Sequence, residues 1–157
     1  ILYKSYATEL VVVDPERSVF YDSFQSGDRS LKNSESSRIE GIGRPEVEPS
    51  FLPDVIARMI KVPDAASIAA MLWLEALIGR KAGPSTGTNL WGALLEGARI
   101  MKAGRTGAVV TVMCDSGDRY LDTYYEPGWV ADAIGDISPY QGQLERWPHD
   151  IENWAAD

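Results

Sequence analysis

Gly83-Pro84-Ser85-Thr86-Gly87-Thr88-Asn89 is a run of small residues between two segments of helical character. Its glycines permit close approach of a ligand, and the hydroxyl of Ser85 lies where that approach would occur. Two incompatible chemistries fit the string. As G-x-S-x-G it is the elbow of a nucleophilic serine, with Asp115 and His149 following in the Ser, Asp, His order of an α/β-hydrolase. As a serine between glycines at a helix start, it hydrogen-bonds a bound cofactor. Two features weigh against the hydrolase: an elbow needs a full strand leading into the serine, and His149 lies in a proline- and tryptophan-rich tail. A phosphate-binding P-loop is excluded because the Gly-Lys-Ser/Thr ending is missing.

Composition limits the partners. The chain has 157 residues, 45% of them hydrophobic, enough for one domain with a core or one large piece of a bigger domain. Its 23 acidic against 15 basic residues give a formal charge of −8, so neither nucleic acid nor an anionic membrane is an expected partner. The single cysteine, Cys114, excludes an internal disulfide, and with His149 as the only other soft ligand no metal site is expected. No apolar run approaches the roughly 20 residues of a membrane span, and Lys4, Ser5 and Glu9 interrupt the place of a signal peptide's apolar core. A cytoplasmic protein is expected. A start without methionine that runs almost directly into a strand pattern gives the further expectation of a fragment lacking its upstream part.

Outward from the Ser85 string, the pattern predicts a largely buried helix over Ala66–Ile78 with Pro63 at its first turn, then a strand of about four residues over Arg80–Gly83. Thr88 or Asn89 is expected to cap a helix to about Lys102, stopped by Gly104. Ala108-Val109-Val110-Thr111-Val112-Met113 predicts a buried strand over Gly107–Cys114, in which Cys114 is a packed small residue, ending at Asp115-Ser116-Gly117. Upstream, Tyr6–Val13 predicts a buried parallel strand stopped by Asp14-Pro15. Residues 15–50 are expected to form a long surface loop with one short strand over Val19–Phe24, and Phe51–Lys61 has the spacing of an amphipathic helix. Beyond Tyr125 a short helix and a tail are expected, with Glu126, Glu145 and Glu152 on a solvated acidic face.

Three motifs in order, Arg38-Ile39-Glu40-Gly41-Ile42-Gly43-Arg44-Pro45, the Ser85 string, and Cys114-Asp115-Ser116-Gly117-Asp118-Arg119-Tyr120, resemble the C-terminal half of the cysteine synthase and cystathionine β-synthase family. The resemblance covers roughly Ala7–Tyr125. Gly41–Pro45 with Glu46–Phe51, and the Pro-Ser-Thr-Gly-Thr-Asn form of the serine loop, look most like actinobacterial cysteine desulfhydrases. The resemblance implies an α/β fold: part of the three-layer αβα large domain of a fold type II, tryptophan synthase β-like enzyme, with a mostly parallel sheet incomplete at the N-terminus. Residues 1–130 would be the C-terminal half of that domain, and 131–157 a tail on the surface or on a partner subunit.

It further implies pyridoxal phosphate (PLP) as cofactor, an amino-acid substrate, and a homodimer when complete. Ser85 would hydrogen-bond the pyridine nitrogen, Gly83 and Gly87 would let the backbone pass close to the ring, Thr86 would support the loop, and Asp115 and Ser116 would brace Ser85. Glu40, Gly41, Ile42, Gly43 and Arg44 would line the mouth of the site, with Arg44 facing substrate or solvent. The residues alone leave simpler readings open: Ser85 satisfying its own turn, Asp115-Ser116 as a structural turn, and His149 as a surface residue. The implied reaction is β-elimination of cysteine to pyruvate, sulfide and ammonia, with β-replacement of the cysteine synthase type as the alternative. The family's Schiff-base lysine matches none of Lys4, Lys32, Lys61, Lys81 and Lys102. The chain alone is therefore expected to be inactive, or to be a non-catalytic module that needs a separate N-terminal half.

Overall fold

The computed structural model describes residues 7–154, which fall into two compact units divided between Val62 and Pro63.

The first unit is built on a two-stranded parallel sheet, β1 (Val11–Pro15) and β2 (Arg58–Val62), in the register Val11↔Arg58 to Pro15↔Val62. The predicted N-terminal strand thus lies later, taking in the Asp14-Pro15 pair expected to stop it, and only Asp14 and Pro15 are fully buried. Tyr6 lies outside the described residues. The helix expected over Phe51–Lys61 is instead a 3-10 turn, Pro53–Val55, followed by β2. Its apolar residues recur at helical spacing and do not alternate. The open edge of β1 decided for the strand, and Pro63 holds Val62 in extended backbone. Leu52 and Val55, on the supposed apolar face, are exposed.

The short strand expected over Val19–Phe24 is helix α1 (Phe20–Ser26). A distant group decides it: the Asp14 carboxylate at the end of β1 accepts from the Tyr21 amide at 2.8 Å, supplying an orphan N–H of the first turn with an acceptor. The loop that follows is irregular but pinned. Arg29 donates to the carbonyls of Glu48 (3.1 Å) and Phe51 (3.0 Å), Lys32 and Glu46 form an antiparallel bridge, and Ile39 is buried.

The second unit pairs α2 (Asp64–Ile78) with α3 (Pro84–Lys102). Pro63 stands at the N-cap of α2, one position outside the expected first turn. Burial covers Asp64 and Ala66–Met71, whereas Leu77 and Ile78 are exposed, so the helix is buried only in its first half. α3 begins at Pro84, four residues before the expected Thr88, because Pro84 supplies a preset φ at the first position and Gly83 serves as the cap. Thr88, inside the helix, ties it to α2 through a 2.8 Å hydrogen bond to Ser67 Oγ. Gly104, at φ 62°, stops the helix as expected.

Neither strand expected in this unit forms. Arg80–Gly83 contributes only an isolated antiparallel bridge, Ala82↔Ser116. Gly107–Cys114 runs without a neighbouring strand among the described residues, and its backbone groups find no ladder partner. Val110 is 90% exposed, and Cys114, expected to be packed, is exposed as well. The segment read as a tail is helical: α4 (Pro127–Ala133), α5 (Ser138–Glu145) and α6 (Ile151–Trp154), after a 3-10 turn at Gly117–Tyr120. α5 packs on α2 and α6 on α3 through an aromatic cluster in which Trp91 meets Tyr140 (5.4 Å) and Trp154 (4.7 Å).

A Cβ at Gly87 would lie 1.9 Å from the Ser67 carbonyl oxygen of α2. Gly87→Ala is therefore expected to force the two helices apart and lower the urea midpoint by an amount equivalent to about 1–3 kcal/mol, measured by circular dichroism. A second expectation concerns pH. Burial pushes the Asp14 carboxyl above its ordinary 3.8, against hydrogen bonds from Ser18 and Tyr21. The native state then holds this proton more tightly than the unfolded chain, so stability falls as pH rises from 3.8 through the elevated native value and is flat above it. Asp14→Asn keeps an acceptor for Tyr21 and removes the titration. Urea melts across that range are expected to lose this part of the pH dependence.

Candidate functional site

The first turn of α3 presents three hydroxyls, and two are spent within the chain. Thr86 Oγ1 accepts from the Cys114 amide at 3.0 Å, and Thr88 Oγ1 donates to Ser67. Ser85 is 7% exposed, yet its hydroxyl bonds to nothing among the described residues. A hydroxyl with no partner within the chain can both donate to and accept from an outside group.

Beside it stands Asp115. Gly83 N donates to the Asp115 carbonyl at 3.0 Å, and a Cβ at Gly83 would lie 2.0 Å from Asp115 Oδ1. Only glycine allows the carboxylate so close to the cap of α3. Tyr120 donates its hydroxyl to Asp115 Oδ2 at 2.6 Å, while Oδ1 is buried without a hydrogen-bond partner. A carboxylate at the positive end of a helix stabilises it by about 0.3–1 kcal/mol. Two unsatisfied polar atoms, Ser85 Oγ and Asp115 Oδ1, thus belong to residues joined through Gly83, and a polar heteroatom of a ligand fits such a place.

The other expected contributors behave differently. Gly87 faces Ser67 and Met71 of α2, so its missing side chain serves helix packing. Ser116 donates to Asp118 Oδ2 at 2.8 Å and caps the following 3-10 turn, leaving it no role as a brace for Ser85. In the first unit, Gly41 and Gly43 hold φ values of 87° and 77°, which only glycine adopts without strain, and a Cβ at Gly43 would meet Ser37 and Pro15 within 3 Å. Ile42 N donates to the Ile39 carbonyl, and Glu40 is exposed. Arg44 is spent locally, donating to Glu48 Oε1 at 2.7 Å and to the Gly43 carbonyl.

Sequence reasoning missed two residues, Tyr120 on Asp115 and Tyr125, whose hydroxyl meets the backbone of Ala82. No spacing announces either, because each works across a fold-dependent distance. The hydrolase constellation does not assemble: Ser85 lies in a helix turn, Asp115 holds Tyr120, and the exposed His149 side chain bonds to neither. Among the described residues no cluster of His, Cys, Asp or Glu converges as a metal site, and no helix is long and apolar enough to cross a membrane. Lys32, Lys61 and Lys81 are each ion-paired, with Glu46, Asp22 and Glu75.

The chain is 57% identical over 131 residues to an L-cysteine desulfhydrase, Cds1, of Mycobacterium tuberculosis, which covers 83% of this chain and 36% of that protein. It is 30% identical over 121 residues to cysteine synthase 1 of Emericella nidulans, covering 76% and 32% of the two chains. It therefore spans about a third of the length of these curated relatives. Among crystal structures, O-acetyl serine sulfhydrylase isoform 3 of Entamoeba histolytica superposes with a TM-score of 0.65 at 22% identity, over 90% of this chain and 38% of that one. A hydrogen sulfide-producing enzyme of Fusobacterium nucleatum superposes with a TM-score of 0.61 at 25% identity, over 85% and 36%. The fold is that of part of a fold type II enzyme such as the cysteine synthases. Residues 2–115 match the family described as pyridoxal-phosphate dependent enzyme, and with most of its length accounted for in this way the chain belongs to that family.

Proposed function

We propose that this chain contributes the ring-nitrogen side of the cofactor site in a PLP-dependent lyase that eliminates sulfide from L-cysteine, leaving pyruvate and ammonia. The observation that carries the reading is the unspent hydroxyl of Ser85 in the buried first turn of α3. The similarity to a cysteine desulfhydrase over 83% of the chain favours elimination over β-replacement.

When bound, PLP supplies the electron sink that lets a β-substituent depart from an amino acid. The chain's own residues would set how strong that sink is. Ser85 donates one neutral hydrogen bond to the ring nitrogen, and the positive end of the α3 dipole opposes protonation there. Both act against a fixed positive charge on the ring, which suits prompt expulsion of a leaving group over prolonged carbanion chemistry. Asp115, with Oδ2 held by Tyr120, would keep Gly83 and the turn fixed, and Thr86 would lock the same turn to Cys114. Within the first unit, the two left-handed glycines shape the Glu40–Arg44 stretch, and the ion pair of Arg44 with Glu48 stiffens it. Exposed Leu77, Ile78, Val110 and Val112 support burial of this chain against further protein, as in a homodimer of the complete cytoplasmic enzyme.

The test is sulfide release from L-cysteine by the full natural polypeptide loaded with PLP, alongside its Ser85→Ala variant. Ser85→Ala is expected to shift the visible absorption of the bound cofactor and to reduce turnover about tenfold to a hundredfold, the equivalent of one hydrogen bond of ~1–3 kcal/mol. An unaltered spectrum and unaltered turnover would refute the assignment of Ser85. Sulfide consumption with an activated serine, without release from cysteine, would select β-replacement.

A further inference from the structure

Residues 81–83 lead directly into the turn that carries Ser85, and they are held from two sides. On one side Gly83 N donates to Asp115 O at 3.0 Å and Gly117 N donates to Lys81 O at 3.3 Å. In such an antiparallel pairing the residue between, Ala82, turns its own N–H and C=O the other way, where a sheet would supply a further strand. Among the described residues no strand stands there. Tyr125 Oη takes both groups, accepting from Ala82 N at 3.0 Å and donating to Ala82 O at 2.8 Å. One phenol replaces the peptide of a missing neighbour.

That dual role requires a protonated hydroxyl, the only form able to accept and donate at once. Burial pushes the Tyr125 phenol above its ordinary 10.0; the bond to Ala82 opposes this, and the charges of Glu75 and Asp118 add to it. The hydroxyl stays neutral across the physiological range. Its ring is held independently, with the Lys81 ammonium 4.2 Å from the ring centroid and Lys81 itself ion-paired with Glu75.

We propose that Tyr125 is a positioning residue of the cofactor site: by holding both polar groups of Ala82 it fixes Gly83, and with it the direction in which the first turn of α3 presents the Ser85 hydroxyl. The inference rests on the reading of Ser85 as partner of the cofactor's ring nitrogen. Phenylalanine at 125 keeps the ring and its contact with Lys81 and removes only the hydroxyl.

The experiment uses the full natural polypeptide loaded with PLP, carrying Tyr125→Phe or Ser85→Ala, read by visible absorption, cofactor emission and kinetics with L-cysteine below the melting temperature of every variant. Tyr125→Phe is expected to shift the cofactor's absorption and emission and to lower kcat on the order of tenfold, with KM within about twofold. A variant that melts lower but keeps the wild-type spectrum and kcat makes Tyr125 a structural strut only and overturns the proposal. Should Tyr125→Phe fail to fold, a ring-difluorinated tyrosine at 125 keeps the shape but ionises at lower pH. The cofactor spectrum is then expected to titrate with that phenol, and a spectrum indifferent to pH over the range overturns the proposal. A Ser85→Ala response without a Tyr125 response removes the positioning role alone, whereas a silent Ser85→Ala removes both readings.

Discussion

The second unit depends on a place where no side chain fits. Gly87 brings the backbone of α3 against the Ser67 carbonyl of α2, and the Thr88 hydroxyl closes on Ser67 beside it. Interiors are close-packed, so a helix set by backbone contact has little freedom to slide. Ser85 stands two residues before that contact and inherits its rigidity. Serine at 85 offers a hydroxyl, but the glycine at 87 decides where that hydroxyl can be.

Around this fixed point the polar groups divide sharply. Thr86, Thr88, Ser116 and Tyr120 all complete hydrogen bonds within the chain, and Ser85 and one oxygen of Asp115 do not. Of the two, Asp115 Oδ1 is fully buried, and a buried acceptor without a partner costs about 1–3 kcal/mol. Their retention near one helix cap has the sense of a receptacle. The neighbours that are satisfied hold the turn's shape.

What the sequence revealed was local and what it hid was distant. Gly104 and the helix ending at Lys102 are legible because glycine and small-residue punctuation act over a few residues. The strand at Arg58–Val62 is hidden because Leu52, Val55, Ile56, Met59 and Ile60 recur at helical spacing, and only pairing with β1 reveals the segment as extended. Val19–Phe24 became helical through the Asp14 carboxylate, seven residues upstream of Tyr21. Gly107–Cys114 shows the reverse failure: its β-branched run reads as a buried strand, yet a strand exists only where a partner supplies the other half of the ladder. Tyr120 and Tyr125 were invisible for the same reason, because each acts on atoms that only the fold brings near.

Thr86 and Cys114 lie 28 residues apart, and their bond closes a loop containing the rest of α3 and the extended stretch after it. Bringing such ends together costs roughly 3 kcal/mol of chain entropy, a sum that barely changes with a few residues more or less. No single hydrogen bond offsets it. The Gly83, Thr86, Gly117 and paired Tyr125 bonds all draw on that one closure, so each is cheap once any other has formed. The turn bearing Ser85 therefore opens and shuts as a unit, and its loosening is a cooperative event, not a gradual fraying.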